Sequence, residues 1–170
     1  MSVLISDTIK QAIESGDPIV ALETAVITSG LPRCCWNESF GENPCSNQIN
    51  MPINIAAARE MSNAVTNCGA VPAWVSVQNG KLVVGTSQED LELLATNEDA
   101  VKVSLATIAS AMQRGYSAGT TVASTLLACK LASSKNPIRV FATGGIGGIH
   151  QNWTQSLDIS ADLTALATTP

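Results

Sequence analysis

A continuous apolar run near the start of the chain, Ile19-Val20-Ala21-Leu22, constrains the fold more than any other segment. Alternating apolar and polar residues are typical of a strand with one face in water, whereas an unbroken run is typical of a strand covered on both faces. Pro18 precedes this run and Glu23 ends it. The run therefore predicts an α/β protein whose largely parallel sheet is flanked by helices on both faces.

Helix and hairpin patterns elsewhere in the chain support the same fold class. Ser6 and Gly16 bracket a helical repeat of apolar residues, as an N-cap and a C-terminal glycine do. Asn54 is placed as the cap of a second helix, and Ser87 begins a third. Asn79-Gly80 joins two apolar runs and predicts a hairpin, so we expect a mixed sheet rather than a purely parallel one.

The length of the chain, 170 residues, suits one domain spanning 1–170, because a chain of this size can bury a single core. Residues 33–50 show neither helical nor strand periodicity. A structureless stretch of this length is uncommon inside a compact domain. We therefore interpret 33–50 as an irregular insertion in that domain.

Charge and hydropathy limit the classes of partner. The net charge is −5, with 9 Lys and Arg against 14 Asp and Glu, and no basic cluster is present. A nucleic-acid partner is not expected, because a face that binds a phosphate backbone needs clustered cations. Nor does any apolar run reach the roughly 18 residues of a membrane span, and no signal-peptide layout opens the chain, so we expect a cytoplasmic protein without a membrane partner.

Three segments near predicted strand ends are candidates for chemistry. Glu23 ends the apolar strand, and open α/β sheets bind ligands at the carboxyl ends of their strands. It is either a general acid or base whose pKa is raised by burial, or a partly exposed glutamate without a role. Lys102 is either an edge-strand lysine or a cation for a ligand phosphate. Gly119-Thr120-Thr121 is either an anion-binding turn at a helix N-terminus or only the cap of that helix.

Residues 138–163 have the outline of a site for a phosphorylated small molecule. A short apolar run leads into Thr143-Gly144-Gly145-Ile146-Gly147-Gly148, whose glycines allow the backbone to approach a ligand closely. The spacing matches neither the dinucleotide-binding motif nor the P-loop. Asp158 and Asp162 follow, on either side of Ser160. These two acids either hold a hard cation together with water, or belong to a helix cap without a metal.

Seven segments of this chain lie in the same order as in one known family. They are Val20-Ala21-Leu22-Glu23-Thr24, Ser29-Gly30-Leu31-Pro32, Gly69-Ala70-Val71-Pro72-Ala73, Val101-Lys102-Val103-Ser104, Gly119-Thr120-Thr121-Val122-Ala123-Ser124, Val140 to His150, and Asp158-Ile159-Ser160-Ala161-Asp162-Leu163. They are distributed from Val20 to Leu163 and all lie outside the insertion. In these segments the chain resembles the pseudouridine-5′-phosphate glycosidases, also known as the indigoidine synthase A-like proteins.

The resemblance implies cleavage of the C–C glycosidic bond of pseudouridine 5′-phosphate, giving uracil and ribose 5-phosphate. It further implies Mn²⁺ as a cofactor and a homotrimer as the assembly. The family mechanism opens the sugar ring and forms a lysine imine, which acts as an electron sink for breaking the C–C bond. By position, the resemblance makes Glu23 the proton donor, Lys102 a substrate and phosphate contact, Val122 a backbone contact of the substrate, Asp158 the Mn²⁺ ligand, and Ser160, Ala161 and Asp162 a substrate-binding segment.

The chain also departs from the family pattern. The imine-forming lysine of the family lies shortly beyond the equivalent of Thr168-Thr169-Pro170, so we expect a sheet that is incomplete relative to the family fold and no appreciable turnover. Thr24 and Ser29 stand where the family has Ser and His. The alternatives to an enzyme are a sugar-phosphate-binding or assembly subunit without catalysis, and a truncated gene product.

Overall fold

The computed structural model describes residues 3–40, 50–133, 136–149, 151–156 and 159–169. Its strands are β1 (Val3–Ile5), β2 (Ile19–Glu23), β3 (Val71–Gln78), β4 (Lys81–Val84), β5 (Val101–Val103), β6 (Ala118–Thr120) and β7 (Val140–Ala142). Its α-helices are α1 (Asp7–Ser15), α2 (Ile53–Asn67), α3 (Gln88–Thr96), α4 (Ile108–Gln113), α5 (Val122–Ala132), α6 (Trp153–Ser156) and α7 (Ala161–Thr168). A π-helical turn spans Val26–Gly30, and a 3₁₀ turn spans Glu38–Phe40.

The described strands form one seven-stranded sheet, in which β1, β4, β3, β2 and β7 lie side by side in that order. β2 is parallel to both β3 and β7, and β1 is parallel to β4, whereas β3 and β4 form an antiparallel hairpin. β5 is parallel to β6, and β6 runs antiparallel to β3. The predicted mixed, largely parallel sheet is confirmed.

One edge of β3 changes its neighbour halfway along the strand. Residues 71–75 of β3 pair with β2, whereas residues 76 and 77 pair with β6. β4 already occupies the opposite edge over residues 75–78, so β6 lies on the same side as β2 and follows it where β2 ends. We call this junction the fork and define it by Glu23-Thr24, Val75-Ser76 and Gly119-Thr120. It places the carboxyl end of β2 against β6.

Helices cover both faces of the sheet, as predicted. Successive residues of β3 point to opposite faces, which divides the core into two clusters. On one face, residues of α1, α4 and α5 pack against the sheet; this cluster includes Ile9, Ala12, Ile108, Ala111, Ala128, Ala73, Val75 and Val77. On the other face, α2 and α3 cover β2 and β3 through Ile55, Ala58, Leu91, Ala95, Leu22 and Trp74.

Several local predictions are confirmed. The Ser6 hydroxyl accepts a backbone N–H of the first turn of α1, and Gly16 ends that helix at a φ of 76°. Ser87 caps α3 in the same way. Asn79 and Gly80 form the hairpin turn with φ values of 47° and 75°, the positive values that a type I′ turn needs.

The prediction that Asn54 caps a helix is wrong. α2 begins at Ile53, and Asn54 is fully buried in its first turn. The Asn54 amide nitrogen donates to the carbonyl oxygens of Ile27 at 2.8 Å and Ala95 at 2.9 Å. The residue therefore ties α2 to the π-helical turn and to the end of α3. A buried amide with two distant carbonyl partners leaves no signal in local sequence.

Two strands were not predicted. β1 precedes Ser6, and three residues are too few to show a period. Gly119 and Thr120, predicted as a turn, belong to the buried strand β6, so that prediction is wrong for these two residues. Thr121 alone separates β6 from α5. Small residues carry no hydrophobic pattern, so the sheet pairing decides their conformation here.

Part of the predicted insertion lies outside the described residues, which stop at 40 and resume at 50. Its described part contains the 3₁₀ turn and an isolated antiparallel bridge between Cys35 and Pro52. The single domain 1–170 and the insertion 33–50 stay predictions. In the part of the chain that the structure describes, no helix is both long enough and apolar enough to cross a membrane.

Candidate functional site

The candidate site lies at the fork, where the carboxyl end of β2 meets β6. The Thr24 hydroxyl donates to the Val75 carbonyl oxygen at 2.6 Å and accepts the backbone N–H of Thr120 at 3.0 Å. The Thr120 hydroxyl donates to the same Val75 oxygen at 2.7 Å. All three residues are fully buried. Because a buried polar group is costly unless it is paired, these bonds hold the two strand ends in one geometry.

Gly119 allows β6 to approach the segment that follows β2. A Cβ atom at this position would overlap the Thr28 hydroxyl and lie 3.0 Å from the Thr24 carbonyl oxygen. Any larger residue would push β6 away from the fork. Glycine is therefore required here by close packing.

Glu23 is the buried acid of the site. The residue is 7% exposed, and its Oε1 atom accepts a hydrogen bond from the Thr143 hydroxyl at 2.7 Å. Burial raises the pKa of Glu23 above its ordinary value of 4.5; the Thr143 hydrogen bond opposes this shift, the Asp162 charge adds to it, and the Lys102 charge opposes it. The net effect retains a proton on Glu23 to higher pH than on an exposed glutamate.

Lys102 lies in β5, opposite Gly119 of β6, and is exposed. Its charge lowers the pKa of Glu23, so the two side chains lie near enough to interact electrostatically. β5 pairs only with β6 among the described strands, which makes it an edge strand. Lys102 therefore belongs to an edge strand, and its charge also acts on Glu23. Its position is compatible with both alternatives, an edge-strand lysine and a cation for a ligand phosphate.

Asp162 joins three parts of the site. Its Oδ1 atom accepts the backbone N–H of Ala123, in the first turn of α5, at 2.9 Å, and its Oδ2 atom accepts the backbone N–H of Gly147 at 2.9 Å. The residue is 8% exposed and lies in the first turn of α7. A carboxylate at a helix N-terminus is favoured by the free N–H groups and the helix dipole. Asp162 thereby connects α7, α5 and residues 143–148, which we call the glycine segment.

Ser160 and Gly147 complete this connection. The Ser160 hydroxyl caps α7 by accepting the Asp162 backbone N–H at 3.2 Å, and the Ser160 N–H donates to the Gly148 carbonyl oxygen at 3.0 Å. A Cβ atom at Gly147 would overlap the Ser160 side chain. Of the two alternatives for the acids around Ser160, the helix cap is present, and α7 begins at Ala161.

Val122 and Ala161 contribute packing on the inner side of the site. The Val122 side chain is 1% exposed and packs in a small cluster with Leu126 and Ala165, which Ala161 and Phe141 join. Its side chain is therefore occupied by core contacts. Only the backbone of Val122, at the first position of α5, is left to meet a ligand.

The predicted metal ligand, Asp158, lies outside the described residues. Within the described ranges, no group of three or more His, Cys, Asp or Glu side chains could hold a metal ion. Both carboxylate oxygens of Asp162 already accept backbone N–H groups. The described residues therefore do not by themselves form a ligand set for Mn²⁺, which prefers free oxygen donors.

A cavity of about 310 Å³ lies at the opposite end of the same strands. It is lined by the end of α1, the start of β2 and residues 136–140, and it includes none of the predicted site residues. Ligands of open α/β sheets bind outside the carboxyl ends of the strands. We therefore place the candidate site at the fork rather than in this cavity.

Thr143 is the site residue that sequence reasoning did not single out. β2 and β7 are parallel with Leu22 opposite Ala142, so the next residues along, Glu23 and Thr143, are neighbours. The sequence signal was present, since both residues directly follow short apolar runs. This signal predicts that Glu23 and Thr143 are neighbours only when β2 and β7 are known to pair.

Comparison with known proteins agrees with this architecture. A family model described as "Indigoidine synthase A like protein" matches residues 39–170. The pseudouridine-5′-phosphate glycosidase of Saccharopolyspora erythraea is 41% identical over 167 residues, which are 98% of this chain and 48% of that protein. The protein of the same name from Dinoroseobacter shibae is 40% identical over 161 residues, 95% of this chain and 46% of the relative. The chain thus spans about half the length of the curated relatives it matches.

Two solved structures share the fold. The prealnumycin C-glycosynthase AlnA, in complex with ribulose 5-phosphate, superposes with a TM-score of 0.71 at 33% identity and covers 97% of this chain. An indigoidine synthase A-like protein from Thermotoga maritima superposes with a TM-score of 0.70 at 31% identity and also covers 97% of this chain. In each case 46% of the solved chain is matched. The residues matched, the identities and the shared fold show that this chain belongs to the indigoidine synthase A-like family.

Proposed function

We propose that this chain supplies the acid and sugar-phosphate parts of a pseudouridine-5′-phosphate glycosidase site, which cleaves a C–C glycosidic bond to give uracil and ribose 5-phosphate. The observation that carries the proposal is the environment of Glu23, a buried carboxyl group at the carboxyl end of a central strand. The names of the curated relatives support the reaction. The complex of AlnA with ribulose 5-phosphate supports a five-carbon sugar phosphate as ligand.

Glu23 is proposed as the proton donor. When a C–C bond to a base breaks, the carbon of the leaving base must receive a proton. A carboxyl group can give that proton near neutral pH only if its pKa is raised, and burial shifts the pKa of Glu23 in this direction. The adjacent Thr143 hydroxyl then hydrogen-bonds to the carboxylate that is left.

Lys102 is proposed to bind the phosphate group. Its exposed ammonium belongs to β5, next to the fork, and its charge reaches Glu23. A lysine acts on a phosphate as a point charge, which suits a ligand approaching from solvent. The backbone at Val122, and the turn formed by Ser160, Ala161 and Asp162, are proposed to contact the sugar. In that case Asp162 acts mainly by holding the turn, because both of its oxygens accept backbone N–H groups.

Mn²⁺ and the homotrimer remain proposals from the family resemblance. We propose Asp158 as the Mn²⁺ ligand, and the roles given to Glu23 and Lys102 do not depend on the metal. A Mn²⁺ titration followed by electron paramagnetic resonance should show binding that Asp158→Asn abolishes and that Asp7→Asn, at an exposed position of α1, retains. Light scattering of the purified chain measures its oligomeric state, with a trimer as the expected result.

From the family resemblance, we propose that none of these 170 residues is the imine-forming lysine. We therefore propose that the 170-residue polypeptide alone binds ribose 5-phosphate and pseudouridine 5′-phosphate without appreciable release of uracil. Removing a covalent catalyst lowers the rate by several orders of magnitude, although binding and electrostatic effects leave a residual rate.

Two measurements on the 170-residue polypeptide test this proposal. Calorimetry should show binding of ribose 5-phosphate and none of ribose, which lacks the phosphate. A uracil-release assay with pseudouridine 5′-phosphate and Mn²⁺ should show no appreciable turnover. Robust release would contradict the requirement for the lysine, and absence of ribose 5-phosphate binding would contradict the sugar-phosphate site.

A further inference from the structure

The Thr143 hydroxyl has three polar neighbours at hydrogen-bond distance. Its Oγ1 atom lies 2.7 Å from Glu23 Oε1, 2.8 Å from the Gly145 carbonyl oxygen and 3.1 Å from the Gly145 backbone nitrogen. The Gly145 nitrogen can only donate, and the Gly145 carbonyl oxygen can only accept. Thr143 has one hydrogen to give, so its two potential acceptors, Glu23 and the Gly145 carbonyl, compete for it.

The protonation state of Glu23 decides this competition. An ionised Glu23 carboxylate is an acceptor only and, because it is charged, attracts the Thr143 hydrogen more strongly than a neutral carbonyl does. A protonated Glu23 can instead donate its own hydrogen to Thr143 Oγ1, which leaves the Thr143 hydrogen free for the Gly145 carbonyl oxygen. The two arrangements use the same atoms at the same distances, so the hydroxyl only has to rotate.

We infer that Thr143 is the positioning residue of Glu23, and that rotation of its hydroxyl between Glu23 Oε1 and the Gly145 carbonyl couples the proton on Glu23 to the glycine segment. The inference deepens the proposed function and rests on the role given there to Glu23 as proton donor. When Glu23 releases its proton, the Thr143 hydrogen turns to the new carboxylate and stabilises it. No heavy atom has to move.

The fold keeps this pair in register. Glu23 and Thr143 directly follow the paired positions Leu22 and Ala142 of β2 and β7, which run parallel. Among the described residues, the charged groups that act on Glu23 are Asp162 in α7 and Lys102 in β5. The Asp162 oxygens are held by backbone N–H groups of α5 and the glycine segment, whereas Lys102 is exposed. Among the described side chains, Thr143 is thus the one that hydrogen-bonds to the Glu23 carboxylate.

The test follows the Glu23 carboxyl carbon by NMR across a pH titration of the 170-residue chain, with Glu23→Gln used to assign the signal. Thr143→Val removes the hydroxyl and should move the titration midpoint of Glu23 upward, because the carboxylate loses its donor. Thr143→Ser retains the hydroxyl and should leave the midpoint near that of the wild type. Thr96→Val, which removes an exposed hydroxyl bonded within α3, is the matched control and should also leave it unchanged.

A second readout needs no Thr143 variant and so does not depend on that variant folding. In the wild type, the amide signal of Gly145 should titrate with the same midpoint as Glu23, and in Glu23→Gln it should become independent of pH over that range. If the Gly145 amide signal does not change over the pH range in which Glu23 titrates, the inference is overturned. Equal midpoints in the wild type and Thr143→Val, or the same upward movement in Thr143→Ser, would overturn it too.

These readouts are separable from the proposed function because neither needs a ligand or turnover. If the midpoints behave as expected while ribose 5-phosphate does not bind, the coupling of Thr143 to Glu23 stands and the sugar-phosphate site fails. If ribose 5-phosphate binds while the midpoints do not move, the sugar-phosphate site stands and the coupling of Thr143 to Glu23 fails.

Discussion

Asp162 accepts the backbone N–H of Ala123 at 2.9 Å, across 39 residues of chain, and so anchors the start of α7 to the start of α5. Its second oxygen holds the Gly147 N–H at the same distance. One carboxylate therefore sets the relative position of two helix N-termini and the glycine segment, and Glu23 lies near enough for the Asp162 charge to act on it. The candidate site is therefore built from segments that are far apart in sequence.

Asp162→Asn should destabilise the protein. The amide nitrogen of Asn would face either the Ala123 or the Gly147 N–H, so one buried donor would lose its acceptor. We expect a loss of about 1–3 kcal/mol in the free energy of unfolding, measured by urea denaturation. Asp99→Asn, at an exposed position after α3, is the control and should stay close to the wild type. A variant at 162 as stable as this control would contradict the bridging role.

Glu23→Gln should stabilise the protein at neutral pH. The folded-state pKa of Glu23 is raised above its ordinary value of 4.5, chiefly by burial, so between the unfolded and folded pKa values the native state binds more protons than the unfolded state. Stability then falls as pH rises through that window, because ionising Glu23 is less favourable in the fold. Gln removes this dependence. The stability gap between Glu23→Gln and the wild type should widen with rising pH and close below pH 4.5.

Urea denaturation at a series of pH values measures that gap. Glu98→Gln, at an exposed position, serves as the control for a change of one charge and should show no comparable widening. A wild type that is more stable than Glu23→Gln at neutral pH would show that Glu23 is better accommodated as a carboxylate than burial predicts.

Gly147→Ala should disturb the glycine segment, whereas Gly145→Ala should be tolerated. A Cβ atom at Gly147 would overlap Ser160, while nothing lies within 4 Å of a Cβ atom at Gly145. Overpacking of this kind lowers stability by about 1–3 kcal/mol, so thermal unfolding should separate the two variants. Equal melting temperatures would mean that the contact between Gly147 and the Ser160 cap is readily relieved.

The elements that could be predicted from sequence are those whose cause is local. The continuous apolar run before Glu23 predicted a buried strand, and Ser6 and Ser87 predicted helix starts, because each signal lies within a few residues of its effect. For the same reason, the apolar run predicted that Glu23 lies at the end of a strand.

What could not be predicted depends on pairing between distant segments. The fork arises because β6 follows β2 along one edge of β3. The small residues of β6 have no hydrophobic periodicity from which this pairing could be predicted. Thr143 becomes a partner of Glu23 only through the pairing of β2 with β7. The resemblance placed Asp162 in a substrate-binding segment, and its hydrogen bonds to two distant backbone N–H groups could not be predicted from the sequence.

Calorimetric titration of ribose 5-phosphate into the wild type, Lys102→Gln and Lys81→Gln tests the central claim most directly. Both lysines are exposed strand residues, and of the two, Lys102 is the one whose charge acts on Glu23. The account predicts that the wild type and Lys81→Gln bind alike and that Lys102→Gln binds about tenfold or more weakly, because it loses a charge-assisted contact to the phosphate. Equal affinities for the two variants, or no binding by the wild type, would contradict a sugar-phosphate site at the fork.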